Sequence, residues 1–469
     1  MHPLLALLIC LAPADEPLKA DVADGKALLA EGDAAADKGD PTEAVLKYKS
    51  AFEQLLPGMR KLPFKTVVKR DVTAREAMGE VLKKELDADA TPEEFRGEEL
   101  GMKALGLIPK DLNYKEILIK VYSEEIAAFY DPKTDTMHLI REPEAKLKKK
   151  PGFFESLLGK KAGFDKDENK TVIAHELTHA LADQNYDLDK MQAAAKGDDD
   201  RELALSSLIE GEATLTMLGA QMSDWSGDQI GKMRSEDLDR TFRLLGPLMV
   251  GIGGGESLKK APPILAESLT FPYLRGVVFA ARLTNDGDWA AIDAAYKNPP
   301  LSTEQIMHPR KYKLEPDAPI AVDLGELKVD GWKEACRNVV GEFQTSVLLA
   351  KYDGRAAAAG WGGDAFAAFE GPAGKLGLVW ATSWDTEADA KEYAASAAKF
   401  QTTKLGEGTQ IPAEYPDVIT RTAGDATFSV VRRGKDVAVV EGFDGTTTSR
   451  FVESAFAGKR SEKVAGKGR

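Results

Sequence analysis

Helical periodicity dominates the first two thirds of the chain, and a period of two appears in one short stretch there and repeatedly towards the end. Residues 20 to 56 read as a helical pair, Ala27-Leu28-Leu29 and then Ala44 to Phe52, joined at Gly39-Asp40-Pro41. One such unit cannot bury its own apolar face. It is therefore expected to dock as a hairpin on a larger body. Residues 61 to 126 continue with a helical period and a turn at Leu107 to Asp111. The stretch Glu125 to Ile140 reads as two strands around a turn at Pro132, an edge that an extended peptide could join as a further strand. From Lys146 to Lys170, charges interleaved with Phe153-Phe154 and Leu157-Leu158 read as a long solvated connection, with an active-site lid or a membrane-touching patch as the functional alternatives.

A second alternation begins at Glu342: helix to about Lys351, strands Ala365 to Glu370 and Leu376 to Ser383, helix Asp385 to Phe400, strands Thr427 to Arg432 and Val437 to Glu441, helix Thr446 to Phe456. Helix-strand-strand repeated in this way predicts a C-terminal α+β domain with an antiparallel sheet. Trp361-Gly-Gly363-Asp364 reads as a tight turn, the Pro-containing stretch 309–322 as a linker, and Lys459 to Arg469 as a disordered basic tail. The boundaries are 1–14 signal peptide, 15–60 hairpin, 61–320 main domain, 335–458 C-terminal domain and 459–469 tail.

Composition narrows the function classes. With 43% hydrophobic and 29% charged residues in 469, the chain has ordinary globular composition, and 469 residues exceed what one core usually organises. A net charge of −14 argues against nucleic acid as a partner. Leu4 to Leu11 followed by Ala12-Pro13-Ala14 is expected to be an export signal, after which no apolar run approaches a membrane span. Cys10 sits in a partial lipoprotein box, but Ile9 stands where a small residue is expected, so lipidation is the lesser expectation. Cleavage would leave Cys336 alone and exclude intramolecular disulfides.

The chemistry concentrates in Thr171 to Gln184, where His175-Glu176-Leu-Thr-His179 lies inside a helical pattern. Val172, His175, Glu176, His179 and Asp183 share one face and Ile173, Leu177, Ala180 and Leu181 the other. Imidazoles at i and i+4 reach one Zn²⁺ at about 2.0–2.1 Å, and Glu176 then stands beside the attacking water. The loop that follows, with Asp187, Asp189 and Asp198 to Asp200, lacks the spacing of a calcium loop and reads as solvated.

Catalytic zinc usually takes three protein ligands. The chain has five histidines, and the position that would extend the motif to a third is Asn185, with Ala182 in place of the motif's Gly. A carboxylate on the next helix, Glu202 to about Met222, is the alternative. Glu210 and Glu212 lie about 200° apart there, so one of them faces the metal. Small residues flank Glu210 (Ser206, Ser207, Ala213, Thr214) and permit close helix approach. Glu212 lies among Leu205, Leu208 and Leu215, so Glu210 is favoured as the ligand, with Glu212 behind it or beside the apolar stripe.

These motifs resemble the thermolysin-like, or gluzincin, zinc peptidases. Closer still, Tyr130-Asp-Pro, His175 to Gln184, Glu210-Gly-Glu-Ala-Thr214, Phe271-Pro-Tyr273 and Ser302 to Tyr312 look like a group of largely uncharacterised exported bacterial proteins of that type. The resemblance covers roughly residues 60 to 315. It implies a mostly helical zincin-type domain with a small sheet, His175, His179 and Glu210 as zinc ligands, Glu176 as general base, and a peptide or protein substrate. One departure is that Thr214 stands where those enzymes carry an Asp four residues after the ligand Glu, which moves the support of a histidine ligand to Asp183 or Thr214 itself. An oxyanion donor is also needed. Tyr273, His308 and Tyr312 are the candidates, and Ser302 with Gln305 forms a capping box that holds His308 at the end of a short helix.

Overall fold

The computed structural model describes residues 21–141, 165–253, 255–405, 409–411, 418–423 and 426–464. The expected signal peptide with Cys10, most of the connection from Lys146, and residues 465–469 of the tail lie outside them.

The N-terminal helices run Val22–Asp37 and Pro41–Arg60. The second starts sharply because Asp40 accepts from the Glu43 N–H at 3.0 Å and Pro41 fills the first turn. Its apolar face, with Tyr48, Phe52, Leu55, Leu56 and Met59, joins one core with Ile173, Leu177, Leu208 and Phe279. The hairpin is thus a wall of the main body.

Three strands form the small sheet. β1 (Lys69–Ala74) lies parallel to β3 (Thr136–Arg141), which pairs antiparallel with β2 (Ala128–Asp131), in the order β1-β3-β2. β2 and β3 form the expected hairpin. β1 corrects the helical reading of residues 61 to 126, because Lys-Arg-Asp-Val-Thr-Ala is half exposed, buries no side chain fully and carries no apolar helical stripe, so backbone pairing with β3 decides its form.

Three long helices, Lys166–Tyr186, Asp199–Gln221 and Pro263–Gly287, make the centre of the body. The last two cross at backbone contact. A Cβ on Gly211 would stand 2.2 Å from Gly276 C and O, and one on Gly276 would stand 2.1 Å from Ser207 O. Pro263–Gly287 is also long and apolar enough to cross a membrane, contrary to the expectation of no such run. Here 61% of that apolar window is buried, packed against Asp199–Gln221.

The C-terminal unit is a seven-stranded antiparallel sheet of β5 (Lys333–Asn338), β6 (Trp361–Glu370), β7 (Leu376–Trp384), β8 (Thr409–Ile411), β9 (Val418–Ala423), β10 (Ala426–Arg433) and β11 (Asp436–Phe443), ordered β5-β6-β7-β11-β10-β9-β8. Side chains alternate between two covered faces. Phe366, Ala368, Leu378 and Trp380 meet helices Pro92–Leu105 and Glu387–Leu405, and Ala367, Phe369 and Val379 pack on the other side against helix Gly445–Ala457, which contributes Phe451. A helix from the main body thus serves as a layer of the C-terminal unit. The architecture is α+β, mostly helical, as expected.

Other expectations are corrected by pairing at a distance. Trp361 to Asp364 is the bulged start of β6 rather than a turn. The stretch read as a linker holds a short helix, Pro309–Lys313, and β4 (Ile320–Val322). β12 (Arg460–Glu462) pairs antiparallel with β4, so residues 459 to 464 are ordered. The acidic stretch read as loop is helix Leu188–Ala195, begun by Asp187, which accepts from Lys190 N, while Asp198 accepts from Arg201 N and caps the start of the next helix, Asp199–Gln221.

Candidate metal centre

Helix Lys166–Tyr186 begins at Asp165, whose carboxylate accepts from the N–H groups of Asp167 and Glu168, and Thr178 bonds back to Ala174 O at 2.7 Å. Residues 171 to 182 are buried throughout. The polar face expected to stand open is therefore covered as well, and the helix lies between the hydrophobic core and the cavity. His175, Glu176 and His179 are 6%, 7% and 9% exposed.

Glu210 comes to the histidines from helix Asp199–Gln221. His175 Nε2 lies 3.1 Å from Glu210 Oε2 and 3.1 Å from His179 Nε2, and His179 Nε2 lies 3.4 Å from the same Glu210 oxygen. Donors bound tetrahedrally at about 2.0–2.1 Å stand about 3.3–3.4 Å apart. The three atoms thus already form a face of the right size for a small divalent ion. Two imidazoles and one carboxylate are a donor set suited to zinc or another first-row metal.

The electrostatics match a site built around positive charge. Burial alone would raise the Glu210 carboxyl, but the His179 and His175 rings outweigh it and hold it well below the usual carboxylate range. Burial alone would lower His179, but Glu210, with Glu176 behind it, pushes it up to about 9. Burial raises Glu176, against the pull of His179 and His175.

A cavity of about 210 Å³ opens on these groups, lined also by β2 from Ala128 to Tyr130, by Val172 and Met217, and by Tyr122 and Tyr273. β2 is an edge strand of its sheet, bonded on one side to β3. Tyr130 and the end of the histidine helix are tied together: Tyr130 OH lies between carboxylate oxygens of Asp183 at 2.8 Å and Asp135 at 2.9 Å, and Gln184 Oε1 accepts from Lys65 N at 2.7 Å. Tyr273 reaches the cavity from helix Pro263–Gly287, three residues before the Gly276 crossing. Its ring stacks on His175 with centroids 6.0 Å apart, and its hydroxyl bonds to Glu210. Burial, then Glu210, raises that phenol.

The other candidates lie elsewhere. Glu212 turns to the opposite side of its helix, where Arg60 Nε and Tyr296 OH both donate to it and both guanidinium and carboxylate are fully buried. His308, a candidate catalytic residue, is exposed at the end of helix Thr303–Met307, its Nε2 2.9 Å from Glu342 Oε1, and does not line the cavity. Ser302 does cap that helix, so local sequence held His308 in place while the fold aimed it at Glu342. Tyr312 OH donates to Asn298 O at 2.6 Å. His138 stacks on Phe129 as a strand residue. Asp183 is engaged by Tyr130 and Leu188 N, and so is not the support of a histidine, while His175 Nδ1 and Thr214 Oγ1 are buried without hydrogen-bond partners among the described residues. Tyr122, from helix Tyr114–Glu125, was missed; nothing in its local pattern separates it from an ordinary buried aromatic.

A family model described as a domain of unknown function, DUF8575, matches residues 329–451, which hold all seven strands of the C-terminal sheet and none of the metal-centre residues. No curated protein and no solved structure matches the chain.

Proposed function

We propose that this chain is a zinc-dependent metallopeptidase of the thermolysin-like type, exported by its N-terminal segment and cleaving peptide bonds. The observation that carries the reading is the convergence of His175 Nε2, His179 Nε2 and Glu210 Oε2 at 3.1–3.4 Å around one point, with Glu176 on the same helix face. Those three residues would hold the ion. Bound zinc supplies Lewis acidity, polarising a carbonyl and bringing the pKa of a water to about 7.

The chain's own groups do the rest. Glu176, raised by burial, takes the proton of the attacking water and delivers it to the leaving amine. β2 offers its unpaired edge beside Glu176, so an extended peptide aligns as an added strand with its backbone across the cavity. Tyr273 orients Glu210 through its hydroxyl and covers His175 with its ring. The buried helix and its neighbours limit water around the reacting bond.

A second reading, a metal-holding protein without turnover, is favoured by one observation: among the described residues, His175 Nδ1 has no acceptor to fix its ring. One experiment separates the two: metal analysis of the purified protein beside cleavage of a mixed peptide library, for wild type and Glu176→Gln. The peptidase gives about one zinc per chain in both and a loss of about 10²–10⁴-fold in cleavage in the variant alone. Metal bound without cleavage in wild type supports the second reading, and iron in place of zinc would overturn the zinc assignment.

A further inference from the structure

The largest cavity described in the fold, about 660 Å³, lies away from the metal centre, between the start of helix Asp199–Gln221, the β4–β12 pair and the sheet at Val339 and Asp364. Its volume is that of a small-molecule site. Leu301, Val322, Leu324 and Val339 give it apolar walls.

Of the charged side chains that line it, Lys196, Asp323, Lys459 and Glu462 are exposed, and the others can be accounted for one at a time. Asp198 is paired with Lys463 Nζ at 2.5 Å. The buried Asp364 accepts from Val340 N, Gly341 N and the indole N–H groups of Trp361 and Trp380. Arg337 is clasped by both oxygens of Glu334 at 2.8 Å. Arg201 differs. It is 8% exposed and lines the cavity, yet its guanidinium makes no hydrogen bond or ion pair with any described residue. Its nitrogens are not among the buried unpaired atoms and so remain open to the cavity, and a guanidinium presents a planar fork that fits an oxyanion in two-pronged fashion.

We propose that this cavity binds a small organic carboxylate, its charge on Arg201 and its apolar body against Leu301, Val322, Leu324 and Val339. One unpaired buried cation calls for one negative charge, which favours a carboxylate over a phosphate dianion. The apolar walls favour an organic body over a bare ion. Bound there, the ligand would clamp three parts of the chain that are distant in sequence.

The test is thermal unfolding and calorimetric titration of the full chain with N-acetyl amino acids bearing apolar side chains, with the matching amides, and with inorganic phosphate. The acids are expected to raise Tm and bind, and the amides are not. Arg201→Gln should abolish the difference, Arg201→Lys should weaken acid binding about tenfold or more, and Arg201→Gln without ligand should melt no lower than wild type. Equal behaviour of acids and amides in wild type would overturn the proposal without recourse to any variant. Phosphate binding as tightly as the acids would overturn the carboxylate assignment, and a lower Tm for unliganded Arg201→Gln would mark Arg201 as a structural residue instead.

Discussion

Among the described residues, two clusters of three side chains have the spacing to hold a metal ion: His175, His179 and Glu210, and Glu304, Asp317 and Asp385. The second already encloses a cation of the chain's own. Lys311 Nζ lies 2.6 Å from Glu304, 2.9 Å from Asp317 and 2.5 Å from Asp385. The cavity at the first is lined by no Lys or Arg among the described residues. Glu212, two residues from Glu210, follows the pattern of the second cluster, its charge met by Arg60. Permanent cations fasten the elements of this fold together, whereas imidazole can exchange a proton for a metal, so the histidine cluster is the one suited to bind from solution.

The sharpest way to break that comparison is to exchange the fates of the two glutamates. Glu210→Ala should lose the metal and with it all cleavage, whereas Glu212→Ala, in its folded fraction, should keep about one metal per chain; metal analysis reads both directly. The reverse result would place the ligand on the other face of the helix.

Stability should respond in the opposite sense. Glu212→Ala leaves a fully buried guanidinium with only the 3.1 Å contact to Asp293 as its acidic partner, and should cost about 3–5 kcal/mol in urea unfolding. An unchanged midpoint would show that the pair does not fasten the N-terminal hairpin. At the second cluster, Lys311→Ala should cost about 1–3 kcal/mol, and millimolar calcium should recover part of it in the variant only. No recovery would mean that spacing alone does not make a cation site here.

The smallest effect is expected at Asp200, which makes hydrogen bonds but no ion pair among the described residues. Thr303 donates to one of its oxygens from both N–H and hydroxyl, and the other oxygen is buried without a partner. Burial pushes this carboxyl up to about 8 although Lys463 pulls it down. Its folded pKa thus lies above its ordinary value of 3.8, so the folded state holds the extra proton between the two. Its contribution to stability is full below 3.8 and lost as pH rises through about 8. Asp200→Asn retains the acceptor for Thr303 and should raise Tm at pH 8 by a few degrees relative to wild type, with little change at pH 4; an equal effect at both would remove the titration from the account.

Much of the C-terminal sheet was legible because each strand carries its own alternation: the strands expected at 365–370, 376–383, 427–432 and 437–441 are cores of β6, β7, β10 and β11. β1, β4, β5 and β12 were not, since short strands with exposed or half-buried side chains are defined by a partner far along the chain. The same division runs through the site. His175, Glu176 and His179 are set by a spacing of four on one helix, which the sequence states outright. Glu210 is expected from its small neighbours Ser206, Ser207, Ala213 and Thr214, whereas the backbone contact of Gly211 with Gly276 joins that helix to Pro263–Gly287 and not to the histidine helix.

By itself, then, the sequence determined the histidine helix, the choice of Glu210 over Glu212 as the expected ligand, and the alternation that builds the C-terminal layers, because each rests on periodicity within one element. Tertiary structure alone decided that Tyr273 lies over His175 while His308 turns away to Glu342, that Arg60 answers Glu212, and that Arg201 faces a cavity without a partner. Those contacts join positions tens to hundreds of residues apart. Their geometry is fixed by how helices and sheets pack against one another, and no local pattern of side chains encodes that.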